Sequence, residues 1–180
     1  YKFEHMEEKL NLWFDPVQLQ KVIFNLLSNA FKYTKAKGSI TVSIRKIKNE
    51  VEIRVEDDGV GISKESIHKI FDRFYQVDGQ SSEFTLGTGI GLAVSKGIVE
   101  LHKGNIRVES EVGQGSVFIV TLLTGNEHFP KEVLSDSESN FHLIKDGVLE
   151  DLALEELMLE EPVKEQELTN EEKAGEMDIE

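Results

Sequence analysis

Cysteine is absent from this 180-residue sequence, which excludes disulfide frameworks, thiolate zinc sites and cysteine nucleophiles. Long apolar runs are also absent, since the longest lies near Val117–Leu123 and is too short to span a bilayer. No basic and then apolar segment follows Tyr1, so no signal peptide is predicted. The five histidines are dispersed without ligand-like spacing and are expected to be surface or partly packed residues. We expect a piece of a longer protein.

Acidic residues are concentrated at one end of the chain. Residues 126–180 hold 18 acidic and 4 basic residues, so this segment carries the whole net charge of −14. Residues 1–125 are neutral, hold 12 of the 14 glycines and are numerous enough to form one core. The sequence predicts a globular domain over 1–125 and an acidic extension or linker over 126–180, partly helical or disordered. Without a basic stripe, the globular part is not expected to bind nucleic acid.

Hydrophobic periodicity and turn residues predict the order of the secondary-structure elements. The predicted strands are Lys2–His5, Leu10–Phe14, Ile40–Ile47, Val51–Val55, Asn105–Ser110 and Ser116–Leu123. The predicted helices are Val17–Tyr33, capped by Asp15 with Pro16 following, one from Ser63 to Phe71 or Phe74, and one from about Gly91 to His102. Strands 40–47 and 51–55 form a hairpin with one solvated face. Because hairpins pair antiparallel and the helices pack on one face, we predict an α+β fold, a two-layer α/β sandwich.

Three polar side chains share one face of the first predicted helix. Asn25 and Asn29 are four residues apart, and Lys32 continues the row. Two amides and an ammonium opposite an apolar stripe can hold an anion and its metal ion. An ordinary solvated helix face is the alternative, and for this pattern in isolation it is the better interpretation.

Two glycine-rich loops follow in the sequence. Asp57–Gly61 comes directly after a strand, where a carboxylate can accept hydrogen bonds from an exocyclic amine such as that of adenine. Gly87–Leu92 opens a helix, whose N-terminal N–H groups can bind phosphate. A simple Asp-Gly turn is the alternative for the first loop. A dinucleotide-binding fold is disfavoured for the second, because the polar segment Gln76–Leu86 precedes it in place of a buried strand.

The order and spacing of these segments resemble a known family. FNLLSNAFKYT, VEDDGVGI, IFDRFYQ, GTGIGLAVSK and GNIRVESEVGQGSVFIVTL are similar to the N, G1, F and G2 boxes and the closing strands of sensor histidine kinases. Those boxes define the catalytic ATP-binding domain of the GHKL superfamily. The resemblance covers roughly residues 10–124 and implies the Bergerat form of the α/β sandwich, with a mixed, mostly antiparallel sheet covered by helices on one face.

The resemblance also implies roles for individual residues. Asn29 is the expected Mg²⁺ ligand, Asn25 its partner on the phosphates, and Lys32 a phosphate contact, these three forming the expected catalytic set. The expected ATP-binding residues are Asn25, Lys32, Tyr33, Asp57, Gly59, Gly61, Ile62, Phe74, Gly87, Thr88, Gly89, Gly91 and Leu92. Many sensor kinases have arginine where this chain has Gln76, so Arg73 or Lys32 is expected to supply that cationic contact, or the contact is missing.

The resemblance implies transfer of the γ-phosphoryl group of ATP, bound with Mg²⁺, to a histidine on a separate dimerisation domain. Gyrase-type, mismatch-repair and chaperone relatives have glutamate at the position of Asn25, and an amide cannot act as their general base. A GHKL-type ATPase and a non-catalytic ATP-gated interaction module remain the alternatives. None of the five histidines has the sequence context of the phosphorylated histidine.

The expected partners are the dimerisation domain of the same full-length protein and a response regulator receiver domain. The segment TGNEHFPKEVL resembles the one that precedes the receiver in hybrid sensors. The resemblance implies a cytoplasmic domain of a homodimeric, membrane-anchored bacterial sensor kinase.

Overall fold

A computed structural model describes residues 2–4, 12–77 and 88–134. The strands are β1 (Lys2–Glu4), β2 (Ile40–Ile47), β3 (Glu50–Asp57), β4 (Asn105–Glu111) and β5 (Gly115–Leu123). The helices are α1 (Pro16–Tyr33), α2 (Lys64–Ile67) and α3 (Gly91–Leu101), and a 3₁₀ turn spans Lys131–Val133. The chain divides into two compact units, Tyr1–Lys145 and Asp146–Glu180, and every described residue belongs to the first. The predicted boundary after residue 125 stays a prediction.

The five strands form one sheet in the order β1-β2-β3-β5-β4. β1 pairs with β2 in parallel, and the other three pairings are antiparallel. The two hairpins, β2–β3 and β4–β5, are therefore joined through β3 and β5 at the centre. This arrangement confirms the predicted mixed, mostly antiparallel sheet.

Helix α1 begins at Pro16, directly after the N-cap residue Asp15. The Asp15 carboxylate accepts hydrogen bonds from the N–H groups of Val17 (2.9 Å) and Gln18 (3.1 Å), and Pro16 occupies the first turn without needing a partner for an N–H. The apolar stripe of the helix is fully buried and consists of Leu19, Val22, Ile23, Leu26, Leu27 and Ala30. The helix predicted over 17–33 and its cap are confirmed.

The core lies between the sheet and the helices α1 and α3. Val51, Ile53 and Val55 alternate along β3 on the helix-facing side and are almost completely buried. From α3, Ile98 and Val99 enter the same layer. Both long helices therefore cover one face of the sheet, as the two-layer prediction requires.

The opposite face of the β2–β3 hairpin is solvated at Arg45, Glu50 and Glu56, as predicted, but it also contains a buried carboxylate. Glu52 lies on that face but is only 9 % exposed. Arg107 approaches it from β4 with an Nη2–Oε1 distance of 3.0 Å, and Arg54 lies 3.7 Å away on β3. These guanidinium groups cover the carboxylate. The sequence did not predict this burial, because strand alternation does not reveal cross-strand charge pairing.

Three further local predictions need correction. Of the strand predicted over Leu10–Phe14, residues 10 and 11 lie outside the described residues. In residues 12–14, Leu12 makes a single parallel bridge with Gly125, and the chain then turns into the cap of α1. The β2–β3 turn contains two residues rather than three, because Ile47 pairs with Glu50. Lys48 accommodates this tight turn at φ 57°.

The third correction concerns α2, which has four residues in place of the predicted helix from Ser63 to Phe71 or Phe74. Ser63 makes no side-chain cap, because its hydroxyl contacts the Ser66 hydroxyl at 3.1 Å. Turn-type hydrogen bonds then replace the helical ladder, such as that from Lys69 N–H to the Ser66 carbonyl at 2.8 Å. The segment ends at Phe74, whose φ of 65° is incompatible with a right-handed helix.

No helix among residues 2–4, 12–77 and 88–134 combines the length and the apolarity needed to cross a bilayer.

Gly61 lies where the first glycine loop packs closely against the β4–β5 hairpin, and substitutions there can show how much this close packing matters for stability. Gly61 has φ 70°, and a Cβ there would collide with the carbonyl oxygen of Glu111. Gly113 has a similar φ of 80°, but a Cβ there would meet nothing within 4 Å. Gly61→Ala should lower the free energy of unfolding by about 1–3 kcal/mol more than Gly113→Ala. Both variants strain a residue at positive φ, but only Gly61→Ala also introduces a steric clash. Urea unfolding of both variants measures this difference, and equal losses would contradict the close-approach interpretation.

Candidate functional site

A cavity of about 230 Å³ lies between helix α1, the end of β3, the start of β5 and the two glycine loops. Its wall includes eleven residues predicted from the sequence: Asn25, Asn29, Lys32, Tyr33, Asp57, Gly61, Ile62, Thr88, Gly89, Gly91 and Leu92. Segments more than sixty residues apart in the chain therefore meet at one site. Gly87 lies outside the described residues.

Helix α1 supplies the polar ridge of this cavity. Asn25, Asn29 and Lys32 line it from one helix face, as the four-residue spacing predicted. Burial lowers the pKa of the Lys32 ammonium, and this group makes no ion pair within the described part of the chain. Its Nζ lies 5.3 Å from the centre of the Tyr33 ring. A desolvated cation of this kind is suited to an anionic ligand.

Asn25 joins α1 to α3. Its Nδ2 group donates to the Gly91 carbonyl at 3.2 Å and to the Ser95 hydroxyl at 3.1 Å, and these bonds use both N–H donors. Only Oδ1 remains, and it lies about 3.4 Å from where a Cβ on Gly91 would stand. Asn25 can therefore meet a metal ion or a hydroxyl through Oδ1, but it has no proton left for a phosphate oxygen. The sequence did not predict this positioning role.

Asp57 places a carboxylate in the cavity wall at the end of β3. It is the last residue of β3, it faces the helix layer, and it is only 6 % exposed. Burial raises the pKa of the Asp57 carboxyl, while hydrogen bonds from the backbone N–H groups of Gly59 and Ser116 oppose that shift. The bond from Gly59 is 2.9 Å long. The site thus holds a buried acceptor that can read an N–H donor on a ligand.

Two neighbours of Asp57, Asp58 and Gly59, do not line the cavity and contact other parts of the backbone. Asp58 turns away from the cavity and accepts a hydrogen bond from the Ser39 N–H at 2.8 Å. Gly59, predicted to bind ATP, does not line the cavity. A Cβ on Gly59 would collide with the carbonyl oxygen of Tyr33, so the glycine is required for loop packing against the end of α1.

The N-terminus of α3 faces the cavity without a side-chain cap. Ile90 occupies the N-cap position and makes no side-chain hydrogen bond, whereas α1 has the Asp15 carboxylate at the same position. Thr88, Gly89 and Gly91 line the cavity around this helix end. Uncapped N–H groups at a helix N-terminus bind anions, so this end of the cavity is complementary to phosphate.

The structure places Phe74 outside the wall of the cavity. Phe74 was predicted to bind ATP, but it does not line the cavity and is 72 % exposed. Its N–H donates to the Gly89 carbonyl at 2.8 Å, which ties this turn to the second glycine loop. Tyr75 lines the cavity instead, and its hydroxyl contacts the Ser66 hydroxyl at 3.1 Å. Lys32 is in the cavity wall with Gln76, whereas Arg73 is not.

Several lining residues were not identified from the sequence: Ser28, Val60, Ile70, Tyr75, Val77, Ser116 and Phe118. Strand register offers the signal that could have found Ser116, because it pairs directly with Asp57 across β3 and β5. Phe118 is two residues further on the same face of β5. Ile70 and Val77 belong to irregular segments, where periodicity carries no signal.

A divalent metal ion fits this site only together with a phosphate-bearing ligand. No group of three or more His, Cys, Asp or Glu side chains in the ranges 2–4, 12–77 and 88–134 could hold a metal ion. The amides of Asn25 and Asn29 are neutral oxygen donors on α1. Mg²⁺ keeps waters and substrate phosphate oxygens as most of its ligands and accepts such donors.

Comparison with known proteins gives consistent matches. The model of the family described as histidine kinase-, DNA gyrase B-, and HSP90-like ATPase matches residues 14–126. Histidine kinase P4 of Formosa agariphila is 40 % identical over 140 residues, which are 76 % of this chain and 10 % of that protein. Sensor protein kinase WalK of Staphylococcus aureus is 39 % identical over 127 residues, which are 69 % of this chain and 29 % of that protein. The chain thus spans less than a third of these curated relatives.

Solved structures agree with this assignment. The nucleotide-free catalytic domain of histidine kinase ThkA is 29 % identical with a TM-score of 0.59, covering 68 % of this chain and 78 % of that one. Full-length ShkA in complex with AMPPNP is 26 % identical with a TM-score of 0.60, covering 69 % of this chain and 26 % of that one. The chain therefore belongs to the family of histidine kinase-, DNA gyrase B- and HSP90-like ATPases, on the side of its sensor histidine kinase relatives.

Proposed function

We propose that this chain is the catalytic domain of a sensor histidine kinase, which binds ATP with Mg²⁺ and presents the γ-phosphate to a histidine on a separate dimerisation domain. One observation carries the proposal: the wall of a single cavity holds a buried carboxylate, a partly desolvated lysine and an uncapped helix N-terminus. A nucleotide has the matching polarity, with amine donors on its base and negative charge on its phosphates. Its relative ShkA is known in complex with AMPPNP.

At the base end, the Asp57 carboxylate accepts a hydrogen bond from the exocyclic amine of adenine. A carboxylate has no proton to donate, so a carbonyl oxygen at the same position of another purine finds no partner. Tyr33 lies beside this region, where burial raises the pKa of its phenol and keeps the ring neutral. Adenine selectivity follows from the polarity of Asp57.

At the phosphate end, Lys32 and the N-terminus of α3 neutralise negative charge. Asn29 would hold Mg²⁺ through its amide oxygen, with Oδ1 of Asn25 beside it, and the ion supplies further charge neutralisation on the phosphates. Phosphoryl transfer depends mainly on positioning and charge, so the chain's own contribution is to fix the phosphates at a defined place.

Asn25 favours transfer to a partner over hydrolysis. A general base must take a proton from water, and an amide cannot do so at neutral pH. The Asn25 amide is also held by Gly91 and Ser95, so it cannot rotate to position a water through its N–H groups without breaking those bonds. Both facts disfavour the ATPase alternative.

The phosphoryl acceptor lies on another domain in this proposal. His102 has both ring nitrogens engaged, with Nδ1 2.7 Å from the Ile98 carbonyl and Nε2 accepting from the Asp15 N–H at 2.9 Å. It is 9 % exposed and unsuited to attack on a phosphate. The partners we propose are the dimerisation domain of the full-length protein and a response regulator receiver domain, within a homodimeric, membrane-anchored bacterial sensor.

Asp57→Asn should change how stability depends on pH. Because burial raises the pKa of Asp57, the folded chain keeps the proton up to a higher pH than the unfolded chain does. Stability from this group is fully present below the unfolded pKa and is lost as pH rises through the folded pKa. The stability of the unmutated chain minus that of Asp57→Asn should therefore fall as pH rises from the ordinary carboxyl range towards neutrality. Urea unfolding across this range measures it, and a pH-independent difference would refute the raised pKa.

The same variant should bind ATP more weakly, because it loses a charge-assisted hydrogen bond worth about 1.5–3 kcal/mol. Its preference for ATP over GTP should also shrink, since an amide can donate as well as accept. Asp58→Asn is the matched control, because that carboxylate faces Ser39 and not the cavity. Equal calorimetric affinities of the unmutated chain for ATP and GTP would count against the role of Asp57.

Asn29→Ala should abolish most of the Mg²⁺ dependence of ATP binding and slow phosphoryl transfer. The readouts are calorimetry with and without Mg²⁺, and acid-labile radiolabel on the dimerisation domain of the same full-length protein, supplied with the chain. Gln20→Ala, an exposed change on the same helix, controls for loss of α1 stability. Unaltered metal dependence in Asn29→Ala would show that Asn29 is not the ligand. An unmutated chain that binds ATP but never labels its partner would favour a non-catalytic ATP-gated module.

Asn25→Glu and Asn25→Gln together separate general-base chemistry from side-chain length. Both lengthen the side chain equally, but only the carboxylate can take a proton from water. The unmutated chain and Asn25→Gln should release phosphate slowly, and Asn25→Glu should exceed Asn25→Gln by up to about 10²–10⁴-fold. The assay follows radiolabelled phosphate released from ATP by the chain alone. Fast release by the unmutated chain would place it among the ATPases.

A further inference from the structure

Ser110 of β4 stands behind the cavity wall, at the junction of three backbone segments. Its Oγ accepts a hydrogen bond from the Ile62 N–H at 2.8 Å and lies 2.7 Å from the Gly115 carbonyl oxygen and 3.1 Å from Ser116 Oγ. Ser110 itself does not line the cavity, whereas Ile62 and Ser116 do. One hydroxyl outside the site thus holds two residues inside it.

The three contacts of Ser110 determine where its proton lies. A hydroxyl has one proton and two acceptor lone pairs. The Gly115 carbonyl can only accept, so Ser110 donates to it, and the Ile62 N–H occupies one lone pair of Ser110. With the Ser110 proton assigned to the shorter contact with Gly115, we assign the proton of Ser116 to the contact between the two hydroxyls. In this assignment the bonding capacity of Ser110 is full, and the Ser116 proton is directed to Ser110.

This arrangement of donors and acceptors determines which hydrogen-bonding groups the cavity offers beside Asp57. Ser116 pairs with Asp57 across the two strands, and its backbone N–H donates to the Asp57 carboxylate. With its proton held by Ser110, the Ser116 hydroxyl offers only lone pairs to a ligand. Two acceptors therefore stand side by side, and both suit an exocyclic amine, which has two N–H donors. A hydroxyl free to rotate could instead donate to a carbonyl oxygen.

Ser110 also fixes the first glycine loop against the β4–β5 hairpin. The bond to the Ile62 N–H continues a set of close approaches that includes the hydrogen bond from the Gly113 N–H to the Val60 carbonyl at 2.8 Å. Gly61 between them leaves no space for a Cβ. The loop that carries Val60 and Ile62 into the cavity wall is therefore held in register with Ser116.

We propose that Ser110 is a positioning residue for base selectivity: by holding the Ser116 proton and the Ile62 N–H, it keeps the base end of the cavity accepting only, and so favours a 6-amino over a 6-oxo purine. The inference rests on the proposed function, since it presumes that the cavity binds a purine nucleotide. It concerns a residue that touches no ligand and acts through Ser116 and Ile62.

The test compares calorimetric affinities for ATP and inosine triphosphate, which differ in carrying an amine or a carbonyl oxygen at position 6 of the purine. In Ser110→Ala the Ser116 hydroxyl is free to donate, so the ATP preference should fall by about three- to tenfold. Ser110→Thr keeps a hydroxyl at the same position and should retain the preference. A merely structural role would weaken both nucleotides by one factor, and an unchanged ratio in Ser110→Ala would overturn the proposal.

Ser116→Ala provides a second, independent arm, because it removes the hydroxyl through which Ser110 is proposed to act. The ATP preference should fall in this variant, and adding Ser110→Ala to it should change the ratio no further, as expected for two residues in one interaction. If Ser110→Ala does not fold, an unchanged ratio in Ser116→Ala still overturns the proposal. Failure of the unmutated chain to bind ATP at all would refute the proposed function instead, so the two failures are distinguishable.

Discussion

The buried carboxylate of Asp57 is the constraint around which the site is built. A carboxylate that is 6 % exposed is costly unless donors surround it, and the backbone N–H groups of Gly59 and Ser116 provide them. Both donors require the backbone to come very close. A Cβ on Gly59 would stand 2.7 Å from Asp57 Oδ1, and one on Gly115 would collide with the Asp57 carbonyl oxygen. Two separate turns thus carry glycines where the backbone approaches Asp57 closely.

The junction between α1 and α3 places a second constraint on function. Asn25 holds the start of α3 through Gly91 and Ser95, and Ser95 is completely buried. The helix N-terminus that faces the cavity is therefore positioned by the same residue whose Oδ1 can approach a metal ion. At the other end of α3, His102 binds the backbone N–H of Asp15, which begins α1. Because α3 is bonded to α1 at both of its ends, the groups that the two helices contribute to the cavity wall are held in a fixed arrangement.

The sequence predicts well those elements whose signals are local. The start of α1 follows from Asp15 and Pro16, and its buried stripe follows from helical spacing. The β4–β5 hairpin follows from alternation and a glycine-containing turn. The polar ridge of α1 and the carboxylate at the end of β3 were located because helix and strand periodicity determine which face a side chain occupies.

The features that the sequence did not predict depend on contacts between distant segments. Ser116 enters the cavity wall because β3 and β5 pair in one register, and Glu52 is buried because Arg107 reaches it from another strand. Tyr75 lines the cavity while Phe74 is exposed, in a turn where Phe74 adopts a positive φ and its N–H bonds to the Gly89 carbonyl. No local pattern carries this information.

The two charged groups of the cavity show why ligand binding and folding are coupled in this domain. Burial shifts the pKa of Lys32 down and that of Asp57 up, so each shift disfavours the charged form for want of solvent. In the proposed complex, a nucleotide supplies negative charge to Lys32 and N–H donors to Asp57, and so offsets both desolvation costs at once. A ligand that binds only the folded state adds stability in proportion to the logarithm of its concentration, about 2.7 kcal/mol at one hundred times its Kd. Under the proposed function, the groups whose charged forms are disfavoured in the empty domain are therefore the same groups that recognise the ligand.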